Sequence, residues 1–171
     1  NFGHFNSAPQ IYSPKLILAD VSGPLQIDSA GIGNLFDWSN LRISLRFGRE
    51  LERLSMSFTE FRAGERADNI GMRAKNFEFH LRTDTERPTE EQAADFVLSM
   101  NEIRAPTLDT FFGNQDTGSL SLSGSLTQIW NLRAGSWQST LENWRAQNGQ
   151  ITLDAGRIAK GSFILDGKGT L

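Results

Sequence analysis

The densest cluster of ionisable side chains in this sequence is a short run that combines two acids with two bases. Arg82, Asp84, Glu86 and Arg87 stand close together, and His80 precedes them. Two carboxylates spaced two residues apart can perform acid–base chemistry or hold a metal ion. A proline and a capping-box pattern follow, and exposed charge clusters of this kind usually contribute little. We therefore expect a solvated loop; an enzyme that uses His80, Arg82 and Asp84 is an alternative that requires these side chains to converge in a cleft.

A second set of basic side chains lies on one face of a predicted strand. Arg42 and Arg46 alternate with apolar residues, so both belong to the polar side of the strand. Two guanidinium groups could hold an anionic head group or a phosphate. Ion pairs with acids of the next strand, such as Glu50, Glu52 or Glu60, are the more ordinary outcome.

Motifs for catalysis and cofactor binding are missing from the sequence. There are two histidines, His4 and His80, and no cysteine, which excludes disulfides, thiolate catalysis and cysteine-based metal sites. Gly31 and Gly33 lack the third glycine and the strand–helix context of a dinucleotide site. Residues 118–124 keep the alternation of a strand and do not form a nucleophile elbow. We expect a protein that is not an enzyme, with no catalytic residue, no cofactor and no metal.

Length and composition indicate a single globular domain. The chain has 171 residues, of which 38% are hydrophobic and 22% charged, and its net charge is −3. This balance gives no basic surface for nucleic acid and no polybasic segment for a membrane surface. The first methionine is Met56. We therefore expect 1–171 to be a fragment of a longer protein, with any signal peptide or N-terminal anchor removed.

Alternation of apolar and polar residues is the strongest structural signal. Further strands are predicted at 11–20, 25–29, 96–100 and 120–126, and a β-bulge is predicted at 75–76, where the alternation changes phase. Three segments carry the clearest pattern: Leu41, Ile43, Leu45 and Phe47; Leu54, Met56 and Phe58; Phe77, Phe79 and Leu81.

Three connecting segments carry weaker signals. Residues 31–40 are predicted to be a loop whose Leu35, Phe36 and Trp38 either cap the sheet or anchor the protein at a membrane interface or partner. A capping box at 89–92 predicts at most one helical turn. Thr107 predicts the cap of another short turn of helix.

The last part of the chain combines a helix with a hairpin. Trp137, Leu141 and Trp144 form one helical stripe, and Asn148 with Gly149 is a typical left-handed stop. Residues 150–171 then read as strand, turn and strand. The fold class predicted is mainly β: a long curved antiparallel meander, half-barrel or taco-like, with one C-terminal helix packed on its apolar face.

The apolar face of such a sheet is larger than one short helix can cover. The uncovered part must close on itself or face a second copy, a partner or a lipid. We expect the face to include a possible site for a hydrophobic ligand, formed by Leu45, Phe47, Phe58, Phe77 and Phe79.

Several stretches of the sequence are similar to a known bacterial family. The stretch 141–144 (Leu-Glu-Asn-Trp), the step at 148–153, Gly161 and the end at 165–171 resemble the alphaproteobacterial "domain of unknown function 2125". The stretches 38–40 and 77–82 are similar to it as well. Where a Gly-Gly pair is expected after the helix, this chain has Asn148 and Gly149.

The resemblance implies a location and a role but no reaction. The family looks distantly like AsmA-type envelope proteins, whose N-terminal anchor and long β-taco expose a hydrophobic groove. This implies a periplasmic protein, or one anchored in the inner membrane and facing the periplasm, that binds or handles lipid or associates with another envelope protein. The alternative is a structural or interaction module that docks a partner or a second copy through a sheet edge.

Overall fold

The computed structural model describes residues 5–6, 15–29, 32–48, 51–66, 69–84, 92–129 and 137–170. These residues form eleven strands and two helices. In chain order the elements are β1 (Phe5–Asn6), β2 (Leu16–Val21), β3 (Leu25–Ser29), β4 (Ile32–Asp37), β5 (Asn40–Phe47), β6 (Leu51–Arg66), β7 (Asn69–Thr83), β8 (Ala94–Ile103), α1 (Pro106–Phe112), β9 (Gly118–Leu126), α2 (Trp137–Ala146), β10 (Ile151–Lys160) and β11 (Phe163–Thr170).

All the strands belong to one antiparallel sheet. The order along it is β1-β2-β5-β6-β7-β8-β9-β10-β11, so from β5 onward each strand lies beside the next one in the chain. β6 is long enough to pair with two strands along the same edge: β5 lies beside its first part and β4 beside its last part. The predicted fold class, a mainly β open meander with a C-terminal helix, is confirmed.

Side chains that alternate along β5 to β8 build the main hydrophobic cluster. We call this cluster the core cluster. Within it, Phe58 and Phe77 face each other across β6 and β7, with ring centroids 5.1 Å apart. The Trp38 ring meets Phe58 edge-on at 5.5 Å, and its indole N–H donates to the Val21 carbonyl at 2.9 Å. The buried members of the core cluster are Trp38, Leu41, Phe58, Phe61, Ala74, Met100 and Ile103.

The predicted bulge at 75–76 is wrong, because β7 keeps its register with both β6 and β8 at this level. The β6–β7 register is the same before and after, at Thr59–Asn76 and at Phe61–Ala74. Glu60 and Glu102 have positive φ angles of 53° and 51°. The change of phase in the sequence therefore marks a line across β6, β7 and β8, which we call the crease. On each of these strands the core residues on the two sides of this line are three positions apart.

Two other local predictions were also wrong. Residues 32–37 are strand β4 and not a loop, because this segment pairs with β3 on one side and with β6 on the other. Thr107 does not cap α1; Pro106 occupies the first turn with Ala105 as the N-cap, and Gly113 ends the helix with φ 65°. The capping box at 89–92 lies largely outside the described residues.

The C-terminal part is held by a few specific contacts. In α2 the Trp144 side chain is buried and donates its indole N–H to the Thr127 carbonyl at 2.7 Å. A Cβ at Gly149 would lie 2.2 Å from the Trp144 ring, so glycine makes room for the indole. Asn148, not Gly149, takes the left-handed conformation that ends the helix, with φ 60°. Leu141 is half-buried, and the Trp137 side chain lies outside the described residues.

A buried ion pair attaches α1 to the β10–β11 hairpin. The Lys160 side chain is 3% exposed, and its ammonium donates to Asp109 Oδ1 at 2.7 Å and to the Asp116 carbonyl. The turn after Lys160 is also close to Asp116, which lies between α1 and β9. A Cβ at Gly161 would lie 2.3 Å from the Asp116 carboxylate. A buried charge needs such partners, since an unpaired ammonium in the interior is strongly unfavourable.

Candidate functional site

The apolar face of the sheet extends beyond the core cluster across β5 to β9. It extends toward the end of the sheet at which Phe47, Leu54 and Phe96 lie. The side chains there are half-buried, and they are not part of the core cluster. Cross-strand pairs connect them, such as Leu45 with Leu54 and Leu81 with Phe96. We call this region the outer apolar face: Leu45, Leu54, Phe79, Leu81, Phe96 and Leu122.

The five residues predicted to contact a hydrophobic ligand divide between these two regions. Phe58 is buried in the core cluster, and Phe77 packs against it. Leu45 and Phe79 belong to the outer apolar face, and Phe47, at the end of β5, is also half-buried. Two of the predicted residues are thus part of the interior packing, and three lie where the sheet is less completely covered.

The opposite face of the sheet carries a row of three arginines on neighbouring strands. Arg46 of β5 is opposite Arg53 of β6, and Arg53 is opposite Arg82 of β7. Asp95 of β8 is opposite Arg82 and continues the row. We call Arg46, Arg53 and Arg82 the first arginine row.

A polar cleft of about 500 Å³ adjoins the first arginine row. Arg46 forms an ion pair with Glu52 at 3.2 Å, as the sequence pattern predicts for a neighbouring strand. Thr83 is buried, and Asp84 is half-buried. The described lining is Arg46, Glu52, Arg53, Arg82, Thr83, Asp84 and Asp95.

The cleft brings together part of the cluster that would make an enzyme. Arg82 and Asp84 both line it. His80 does not belong to the described lining; it points from the same face two residues along β7, with its Nε2 3.8 Å from Glu78. Glu86 and Arg87 lie outside the described residues. The geometry therefore assembles two of the three predicted side chains.

A second arginine row crosses the same face on the other side of the crease. Arg62 of β6 is opposite Arg73 of β7, which is opposite Arg104. Arg62 also contacts Asp37 of β4 at 3.6 Å. We call Arg62, Arg73 and Arg104 the second arginine row. Arg42, which the sequence grouped with Arg46, pairs instead with Asp20 of β2 at 3.1 Å.

Sequence reasoning identified the ends of the first row but missed its middle. Arg46 and Arg82 were both considered, whereas Arg53 was not. The signal was available in part, because Arg46 and Arg53 lie at the two ends of the short link between the alternating segments 41–47 and 54–58, and a symmetric pairing of these segments would place them opposite each other. No such local signal connects Arg62, Arg73 and Arg104.

The described residues contain no group of three or more His, Cys, Asp or Glu side chains arranged to hold a metal ion. No helix in the described part of the chain has the length and apolar character needed to cross a membrane.

Taken together, the fold and the site define an open antiparallel β-sheet protein with one apolar face and one arginine-bearing polar face. The chain belongs to the bacterial family described as "Uncharacterized protein conserved in bacteria (DUF2125)", whose model matches residues 1–171. This confirms the family resemblance of the sequence. No curated protein and no solved structure matches the chain.

Proposed function

We propose that this chain is a non-enzymatic protein of the bacterial envelope that holds a lipid or another hydrophobic ligand on its outer apolar face. The observation that supports the proposal is incomplete burial. Among the described residues no large side chain is less than 2% exposed, and Leu45, Phe79 and Leu81 are only half-buried. A sheet of this size that closed on itself would bury such side chains more completely.

Covering these side chains with an apolar ligand would contribute favourably to the free energy of binding. Apolar surface removed from water contributes about 25 cal/mol per Å². Neighbouring half-exposed Leu and Phe side chains therefore favour an apolar occupant, and contiguous apolar patches commonly mark an interaction site. A flexible acyl chain fits this role, because it can follow a row of side chains across several strands.

Ligand binding can be tested with a fluorescent apolar probe. The protein is delipidated in detergent, returned to buffer and titrated with N-phenyl-1-naphthylamine, and the probe is then displaced with oleic acid. We expect saturable binding, reversed by oleate. Native mass spectrometry after exposure to phospholipid should show retained lipid; no retained lipid and no saturable probe binding would contradict the proposal.

A matched pair of variants places the ligand on one face. Phe79→Asn adds a polar group to the outer apolar face, whereas Val97→Asn adds the same group to the polar face of the neighbouring strand β8. We expect Phe79→Asn to weaken probe binding several-fold and Val97→Asn to leave it unchanged. Circular dichroism on both variants verifies that the sheet is retained.

The proposed location is the periplasm, either free or through an anchor in the inner membrane. It rests on the distant AsmA-like resemblance that we infer from the sequence. Fractionation of cells that express the full-length gene product tests it: the protein should appear in the periplasmic or inner-membrane fraction. Recovery in the cytosolic fraction would contradict it.

A second candidate is a docking module that binds another envelope protein or a second copy through a sheet edge. It is favoured by β11, where Phe163, Ile164 and Leu165 are 40%, 52% and 54% exposed. An exposed apolar edge strand is a template for a further strand. Light scattering with size-exclusion chromatography should then show self-association or capture of a partner, abolished by Ile164→Lys. A monomer at high concentration that also captures no envelope protein would exclude this candidate.

A further inference from the structure

The first arginine row is an arrangement that sheet stability does not favour. Residues directly opposite in an antiparallel pair have Cβ atoms about 4.5–5.5 Å apart, and like charges there are destabilising. Arg46 with Arg53 and Arg53 with Arg82 form two such pairs in succession. The second arginine row repeats this pattern, so the pairing alone does not identify a site; the first row differs from it in lining a cleft.

The ion pairs around the row leave two of its three guanidinium groups available. Glu52 engages Arg46 at 3.2 Å. Within the described residues, neither Arg53 nor Arg82 forms a side-chain ion pair or hydrogen bond. Asp95 is opposite Arg82 in the register, but the two side chains do not come within ion-pair distance.

Adjacent guanidinium groups suit one chemical class of ligand in particular. Each presents a planar fork of N–H donors that matches two oxygens of a phosphate. A dianion placed between Arg53 and Arg82 would also remove their mutual repulsion. The cleft of about 500 Å³ beside them is much larger than a phosphate ion and has room for the molecule that carries the phosphate.

We propose that Arg53 and Arg82 bind the phosphate group of a ligand that occupies this cleft. The proposal is independent of the apolar ligand, because the arginines project from the opposite face of the sheet. The carboxylates of Asp84 and Asp95 lower the affinity for a bare anion and restrict the position in which it fits.

The second arginine row provides an internal control. Arg73 is the same residue type on the same face, is also opposite two arginines, and does not belong to the described lining of the cleft. Inorganic phosphate is titrated into the full chain at low ionic strength and followed by isothermal titration calorimetry. We expect Arg53→Gln and Arg82→Gln to weaken binding at least about tenfold, and Arg73→Gln to change it less than about twofold. Equal losses in all three variants would mean general attraction to positive charge and would overturn the proposal.

Two further measurements keep the proposal testable if an arginine variant folds poorly. Asp95→Asn removes a negative charge from the cleft, so it should strengthen phosphate binding several-fold; unchanged or weaker binding would count against the site. Thermal unfolding without phosphate should show Arg53→Gln at least as stable as the unmodified chain, because one repulsive pair is removed. A large loss of stability with unchanged phosphate affinity would assign the arginines a structural role.

The source of the phosphate is distinguished by two ligand forms. One arm titrates glycerol 3-phosphate; the other sediments the protein with vesicles of phosphatidic acid or of phosphatidylcholine. Tighter binding of the ester than of inorganic phosphate supports a soluble ligand. Sedimentation with phosphatidic acid vesicles that Arg82→Gln abolishes and Arg73→Gln retains supports a lipid head group. Binding in neither arm, together with none to inorganic phosphate, would overturn the proposal.

Discussion

In the middle of the sheet packed aromatic rings connect neighbouring strands, whereas at the C-terminal end two polar contacts attach the helices to the sheet. Phe58 contacts Trp38, Phe61 and Phe77, all with ring centroids within 5.5 Å. At the C-terminal end the Lys160–Asp109 ion pair joins β10 to α1, and the Trp144–Thr127 hydrogen bond joins α2 to the residue after β9.

The difference shows that the stability of one region depends on many packing contacts, whereas the stability of the other depends on a few polar contacts. Packing energy is spread over many contacts and grows with buried area. A polar contact depends on two groups in one geometry, and its net contribution is small unless removal leaves a buried charge unpaired. The exposed side chains of β11 belong to the second kind of region. Pairs of variants, one from each region or each kind of contact, test this distinction.

The largest effect is expected from emptying the centre of the core cluster. Phe58→Ala should lower the free energy of unfolding by about 3–5 kcal/mol, because it leaves a cavity among three other rings. Phe163→Ala in β11, where the ring is 40% exposed and contacts Phe112 at 4.7 Å, should cost less than half as much. Urea unfolding measures both; equal losses would contradict the distinction between the two regions.

The next effect concerns the buried ion pair of the C-terminal end. Asp109→Asn should lower the free energy of unfolding by roughly 2–3 kcal/mol, because Lys160 then loses its counter-ion while remaining buried. This expected loss is smaller than the about 3–5 kcal/mol typical of breaking a fully buried ion pair, because Asp109 itself is 30% exposed.

An exposed ion pair provides the control for Asp109. Arg157 and Asp166 are 3.5 Å apart and mostly exposed, so Asp166→Asn should cost less than about 1 kcal/mol. Thermal or urea unfolding of the two variants compares them. If Asp109→Asn were as mild as Asp166→Asn, Lys160 would not depend on its partner.

A smaller effect is expected where α2 meets the sheet. Gly149→Ala should destabilise the protein by about 1–3 kcal/mol, because the new Cβ would lie 2.2 Å from the Trp144 ring. Gly167→Ala in β11 has nothing within 4 Å and should be close to neutral. Near-ultraviolet circular dichroism should change for the first variant only; an unchanged spectrum and stability would show that the indole is not fixed by this contact.

The smallest effect is expected at the exposed side of the crease. Lys75 donates to Glu102 at 2.8 Å, and this hydrogen bond and the charges of Glu102 and Glu60 raise the pKa of Lys75. A raised lysine pKa stabilises the fold fully below the unfolded-state value of about 10.4, and the contribution is lost as the pH rises through the folded value.

The pH dependence gives the measurement for Lys75. The stability difference between the unmodified chain and Lys75→Gln should be small and constant through neutral pH, and it should disappear at strongly alkaline pH. High salt should reduce it as well, because the pair is exposed. A large difference that salt does not affect would show that the crease depends on this contact.

The parts of the fold that the sequence predicted are those with local patterns. The sequence predicted β5 to β7, the helix that carries Trp144 and the final hairpin. For each of these elements the signal lies within one segment of the sequence. β4 was missed because its pairing partners, β3 and β6, decide its conformation. The false bulge at 75–76 has the same origin, since the step of three is meaningful only beside the matching steps in β6 and β8.

The sequence by itself determined that this protein is an antiparallel sheet with one apolar and one polar face, because side-chain alternation has a fixed period of two. Only the tertiary structure decided which residues share a row. Arg53 lies between Arg46 and Arg82 because the registers of β5 with β6 and of β6 with β7 place it there, and the apolar pairs Leu41–Phe58 and Phe58–Phe77 set those registers. The core cluster and the first arginine row, on opposite faces, are therefore consequences of one alignment.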